Sequence, residues 1–286
     1  MSLLRDAFDA APRAIEGGLL AAAACGALGA LLRWRRLVWA GFAIPEAATA
    51  GAAFALGQET LLPALGVGVL PAWLAGEGVW VFLATALATF WLVPVARAAR
   101  PGGERAAAAC FLAASAAAVL FVSQSPHGTE EVRSLVTGKA LLFLSPADVM
   151  LLAWTLPPLV ALVLCFAGRF SAAAFDRDHA RVAGHPVVRL EAGFAAVLLA
   201  LVSLAAPRAG APFVFAYLTL PAAAAERLAA RPLPMVAVSV LLSLVAFLVG
   251  AVAAVRFDLP FSTASAAGAL LVTGAALLGS LALPRR

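Results

Sequence analysis

The chain has 286 residues, 64% of them hydrophobic and only 12% charged, with a net charge of +5 and a mean hydropathy of +0.99. A soluble domain carries about 25% charged residues, so this composition excludes one, and the recurring apolar runs of membrane-spanning length point to a polytopic α-helical membrane protein. The short alternating strand patterns of a membrane barrel are absent, and the basic residues sit in loops between apolar runs, where they set topology rather than bind nucleic acid.

Residues 1–13 form a polar arm with Arg5, Asp6, Asp9 and Arg13. A first span is expected at about 14–32, ending at Arg33, Arg35 and Arg36. The second runs from about 37 to 57, with Trp39 near its start as an interfacial anchor. The next apolar run, Leu61 to Pro71, is broken by Pro63, Gly66 and Gly68, so 61–76 reads as an interfacial or re-entrant piece. Further spans are expected at about 78–96, 106–123, 147–168, 190–206, 210–226, 234–255 and 263–283. The loops are short except 124–146 and 169–189. The fold class is all-α, with eight or nine transmembrane helices in a single domain over 1–286.

Placing the N-terminus outside and the C-terminus in the cytoplasm puts most arginines on the inner side: Arg33, Arg35, Arg36, Arg97, Arg100, Arg105, Arg169, Arg177, Arg181, Arg189, Arg227, Arg231, Arg285 and Arg286. The outer side holds Arg5, Arg13, Arg133, Lys139, Arg208 and Arg256. This is the positive-inside pattern, and making 61–76 a full span destroys it. Cys25, Cys110 and Cys165 fall in apolar runs with no metal spacing and read as small buried hydrophobes. Ala43, Ala47 and Gly51 share one face of the second span, a small-residue pattern suited to close helix packing. Ala222, Ala223 and Ala224 suggest the same in the seventh.

Catalytic motifs are missing. There is no phosphate loop, no Gly-x-Ser-x-Gly elbow and no His-Glu-x-x-His pair. His127, His179 and His185 all lie in loops, with only His127 placed to serve an outer mouth. What stands out is Glu46, deep in the second span directly after Pro45. A charged residue at the bilayer centre costs about 2.5–3.5 kcal/mol, so Glu46 is expected to face other helices or a polar path. Phe42 lies one turn before it, where its ring could shield the carboxyl or narrow a path beside it. Pro45 removes a backbone donor. A second feature lies in the inner loop: Asp176 is placed to cap a short helix over 177–183 that Gly184 ends, an amphipathic segment able to dock in a groove of a soluble partner.

These pieces together resemble the membrane permease subunits of bacterial metal-ion ABC importers, the zinc/manganese/iron class. The likeness covers nearly the whole chain. It runs through Cys25-Gly26-Ala27-Leu28-Gly29, Arg35-Arg36, Gly41 to Ala47, Gly51, and Gly138 with Leu144-Ser145-Pro146-Ala147-Asp148. It continues through Phe175, Asp176, Ala180 and Gly184, then Leu220-Pro221-Ala222-Ala223. The resemblance implies a homodimer in the bacterial inner membrane, cytoplasmic ABC ATPases that hold the ATP, and an extracytoplasmic metal-binding protein that delivers a divalent ion (Zn, Mn or Fe). No cofactor belongs to this chain. The segment at about 173–186 would couple the ATPase to the membrane helices, through Phe175, Asp176, Arg177, His179, Ala180 and Gly184.

One departure falls in the second span. The family often carries an aspartate and, four residues on, a histidine there, both proposed to meet the metal; here they are Phe42 and Glu46. A carboxylate from each of two protomers makes a hard-oxygen site that suits Mn²⁺ or Fe²⁺ better than a nitrogen-preferring ion. A changed cargo such as a chelate, or a path without coordination, fits the same substitution. A proton-coupled secondary carrier using Glu46 as its proton site is the alternative function. An intramembrane enzyme finds no nucleophile–base pair or metal cluster in the sequence.

Overall fold

A computed structural model describes residues 8, 10–35, 37–64, 66, 71–98, 103–124 and 141–281. They form helices α1 Pro12–Trp34, α2 Ala40–Ala64, α3 Ala72–Ala75, α4 Glu77–Ala98, α5 Gly103–Ser123, α6 Pro146–Phe175, α7 Arg177–Val182, α8 Val187–Ala209, α9 Ala211–Leu228, α10 Pro232–Phe257 and α11 Phe261–Leu281. Among the described residues there is no strand. Nine of these helices have 18 residues or more, and they coincide with the nine expected spans. Seven are long and apolar enough to cross a membrane by length and composition. The other two, α2 and α9, carry Glu46, Gln58 and Glu59, and Glu226 and Arg227. Both are packed among other helices, which relaxes the demand for apolarity on every face.

The bundle is built around α1, whose apolar stretch is 78% buried. It packs against α6, α9 and α10. Its small residues make this possible. A Cβ on Gly29 would lie 2.3 Å from the Leu218 carbonyl oxygen of α9, and one on Gly26 would lie 2.2 Å from Ser243 Oγ of α10. Ser239 Oγ donates to the Gly26 carbonyl at 2.7 Å, tying α10 to α1 where no water competes. The same logic joins α2 and α4: a Cβ on Gly51 would meet the Trp80 carbonyl oxygen at 2.5 Å. Ala43 and Ala47, on the Gly51 face, are buried as well. In α9, Ala222 and Ala224 are buried and Ala223 is half-buried.

Gly29→Ala forces a methyl into backbone that cannot give way. We expect it to destabilise the solubilised protein by about 1–3 kcal/mol. Thermal unfolding in detergent checks this; an unchanged midpoint would mean that α9 shifts freely away from α1.

The two ends of the bundle are distinguishable from their contacts. At one end Arg33 pairs with Glu226 at 2.5 Å, and Trp34 lies against Phe175 with ring centroids 6.5 Å apart. At the other, Arg208 Nε donates to Asp148 Oδ1 at 2.9 Å, clamping the end of α8 to the start of α6. Asp148 also closes a capping box with Ser145. Residues 65 and 67–70 of the 61–76 piece lie outside the described residues, but its flanks return to one end of the bundle. Gln58 Nε2 donates to the Ala75 carbonyl at 2.7 Å, and Trp80 Nε1 donates to Gln58 Oε1 at 3.0 Å. Helices α2 and α4 are therefore antiparallel neighbours.

Three readings of the sequence change. Helix α2 runs on to Ala64, so residues 61–64 belong to it and not to a separate interfacial piece. Helix α6 runs to Phe175, well past the expected end of its span, so Phe175 is a helical residue and not part of the loop. Of the cysteines, Cys25 is buried and Cys110 half-buried, but Cys165 is exposed on α6. All three are free.

Candidate functional site

The residues singled out from the sequence fall in two places, the second turn of α2 and the bend between α6 and α8. Glu46 is half-buried in α2. Phe42 turns its ring into a cluster shared by three helices. It stacks on Phe111 of α5 with centroids 4.0 Å apart, and meets Phe215 of α9 edge-on at 4.8 Å. Such pairs add about 0.5–1.5 kcal/mol each beyond the area they bury. Helices α2 and α5 run parallel, since Phe42 meets Phe111 and Phe54 meets Phe121 further along both. Thr60 Oγ1 donates to the Gln124 carbonyl at the same end. In this register Ser115, one turn after Phe111, presents its hydroxyl to the Glu46 carboxyl. Pro45 is buried and α2 is continuous across it, with Thr49 Oγ1 donating to the Pro45 carbonyl at 3.2 Å.

Among the described residues no three His, Cys, Asp or Glu side chains gather into a metal-holding group. An ion at Glu46 would meet one carboxylate and one hydroxyl of this chain, an oxygen-only environment. His127, Gly138 and Lys139 lie outside the described residues. Sequence reasoning missed Ser115, Phe111 and Phe215. One signal was available: Phe111 and Ser115 repeat the four-residue spacing of Phe42 and Glu46, and Ser115 is the one hydroxyl in the middle of an alanine-rich span, Ser123 standing at its end.

At the bend, Asp176 adopts an extended conformation (φ −145°, ψ 107°) that ends α6 and starts α7. Its Oδ1 accepts from the Asp178 and His179 backbone amides, both at 3.0 Å. The helix closes with Gly184 at φ +79°, a conformation that suits glycine. The short helix with its aspartate cap and glycine stop thus forms where the sequence places it. Ala180 is its buried anchor, with 1% of its surface exposed, and its carbonyl accepts from His185 N at 2.9 Å. Phe175 and Val182 are apolar yet 71% and 89% exposed. Arg177, His179 and Gly184 are exposed too. Arg177 Nη2 donates to Glu191 Oε2 of α8 at 2.8 Å.

The His179 amide, and then that of Asp178, hold the Asp176 carboxyl below the usual aspartate range, with the positive field of His179 adding to them. A lowered folded value means that the cap contributes fully above the ordinary range near pH 4 and is lost as pH falls through the lowered value. Hydrogen exchange at the Asp178 and His179 amides should therefore lose protection on acidification below about pH 4. Asp176→Asn, which still accepts a hydrogen bond, should lack that acid step; the same step in both proteins would remove the assignment.

Arg35 was read as a topology determinant, but the fold also uses it as packing. It is 8% exposed, and its guanidinium lies 4.3 Å from the centre of the Phe194 ring of α8 and 5.9 Å from that of Phe170 of α6. It thus joins the end of α1 to both helices that flank the elbow.

Over residues 7–283 the chain matches the model of a family described as the ABC 3 transport family. No curated protein matches it. Among solved structures it is similar to a chain of PsaBC from Streptococcus pneumoniae in complex with Fab. That likeness has 18% identity and a TM-score of 0.70, covering 93% of this chain and 90% of that one. It is also similar to a proposed metal-chelate type ABC transporter in an inward-facing conformation, at 15% identity and a TM-score of 0.70, covering 93% of this chain and 85% of that one. At these identities the likeness establishes the fold.

Proposed function

The chain belongs to the ABC 3 transport family, and from that premise we propose that it is the membrane subunit of an ATP-driven importer that carries a divalent metal ion, Zn, Mn or Fe, into the cytoplasm. It is a transport permease and not an enzyme; ATP hydrolysis belongs to a separate subunit. The observation that carries the reading furthest is the elbow α7 at the arginine-rich end of the bundle. A capped helix that leaves Phe175 and Val182 uncovered is suited to a soluble partner, and the partner assigned to it is the cytoplasmic ABC ATPase. The remaining assignments are a homodimer, an inner-membrane location with the N-terminus outside and the C-terminus in the cytoplasm, and an extracytoplasmic metal-binding protein facing the opposite end. Metal as cargo is supported by the motifs that resemble metal-ion importers, and by the fold shared with the proposed metal-chelate type transporter. Glu46, with Phe42 and Pro45 beside it, is assigned to the transport path.

Elemental analysis of cells with and without this chain and its ATPase tests the proposal. One divalent metal should accumulate only when both are present; unchanged metal content would sink it. The half-buried Glu46 also suits a proton-coupled carrier. That reading requires uptake driven by a pH gradient in liposomes containing this chain alone, and silence there removes it.

A further inference from the structure

The elbow must pass on a displacement as well as dock, and its two attachments are unequal. Toward α6 a single residue, Asp176, intervenes. Toward α8 residues 183–186 intervene, with the left-handed turn at Gly184 among them. A six-residue helix is too short to hold its own direction, so what it grips decides how it moves. At its first residue the grip is a side-chain contact, Arg177 Nη2 to Glu191 Oε2 at 2.8 Å. Glu191 lies in the second turn of α8, and only 13% of its side chain is exposed. Two clefts meet at this pair. One, of about 380 Å³, opens toward Phe90 and Pro94 of α4. The other, of about 330 Å³, lies beneath Arg35 and Phe175. Both are lined by Arg177 and Glu191, so at the clefts it is this ion pair, rather than close packing, that spans from elbow to α8.

We infer that Arg177 and Glu191 form a strap that makes the elbow and α8 move as one body. A push on α7 then reaches α6 through the Asp176 backbone and α8 through the strap, and both helices shift together. The inference rests on the permease reading above. Neither residue touches cargo or ATP; both are positioning residues. Screening weakens a fully exposed pair; here the Arg177 side chain is 47% exposed and partly screened, while the Glu191 carboxylate is held largely out of water.

The test uses the full complex with its ATPase in liposomes, comparing Arg177→Glu, Glu191→Arg, the double exchange, Arg177→Gln and Arg177→Lys. The readouts are ATPase affinity for the permease and the part of ATP hydrolysis that depends on cargo. Glu191→Arg, which lies outside the docking segment, should keep the affinity; it, Arg177→Glu and Arg177→Gln should lose most of the cargo-dependent hydrolysis, and Arg177→Lys and the double exchange should recover it. The strap is overturned if the single variants hydrolyse normally or if the double exchange stays as impaired as they are. It is also overturned if Glu191→Arg loses ATPase affinity, since the pair would then belong to the docking contact. A native complex without any cargo-dependent hydrolysis would instead sink the permease reading, and the strap with it.

Discussion

Exchanging residues 176–184 for a flexible glycine–serine segment of equal length is expected to leave the protein inserted while uncoupling it from its ATPase. The nine long helices are held by contacts that do not involve this segment, such as the Gly29–Leu218 approach and the Arg208–Asp148 clamp. What is removed is the stretch of chain that joins α6 to α8, with the short helix it carries. Allosteric couplings are typically worth about 1–3 kcal/mol, or roughly 5- to 150-fold, and a loss of cargo-dependent ATP hydrolysis in that range is the expected result. Hydrolysis and ATPase binding that survive the exchange unchanged would refute the coupling role. The glycine–serine chain keeps the connection's length but cannot carry a push, which separates a mechanical role from a tether.

Glu46→Ala is expected to lower uptake without lowering folded yield. The α2–α5 contact at this level rests on the Phe42–Phe111 stack, which does not need the carboxylate. Removing the acid also relieves its desolvation, so stability is not expected to fall. On the proposed transport path, uptake should fall because the route loses its one acid in this part of the chain. A contact worth only about 1.4 kcal/mol in the rate-limiting step corresponds to roughly tenfold in rate. Glu46→Asp keeps the charge and should retain part of the activity, while Ser115→Ala should have the smaller effect of losing one neutral oxygen. Equal uptake by Glu46→Ala would take it out of the path. If uptake is lost, the metal profile of the native protein becomes informative: an oxygen-only site favours Mn²⁺ or Fe²⁺ over Zn²⁺.

Much of the molecule was legible because a bilayer imposes one-dimensional rules. Each apolar run near the length of a span becomes a helix, though α2 and α6 run several residues past their expected ends, and the arginine bias distinguishes the two ends. The elbow was legible too, since an aspartate cap and a terminating glycine act through their immediate backbone neighbours. The end of α6 was not. Phe175 follows charged Arg169 and reads as loop, yet the helix runs on to it, with the Trp34 ring from the end of α1 6.5 Å away. The packing role of Arg35 and the place of Ser115 were missed for the same reason: both act through residues far away in the chain, Phe170 and Phe194 in one case and Glu46 in the other.

By itself the sequence determined that this is an all-helical membrane protein, where its helices lie, that a capped elbow interrupts the arginine-rich side, and that one acid sits in the second span. Those properties follow from hydropathy and from hydrogen bonds between residues close in the chain. Only the tertiary structure decided that α1 is the hub, that Phe42 packs between α5 and α9, that Ser115 faces Glu46, and that Arg177 is strapped to Glu191. Each of these depends on how helices set side by side meet in space, and a backbone approach such as Gly29 against Leu218 has no counterpart in local sequence.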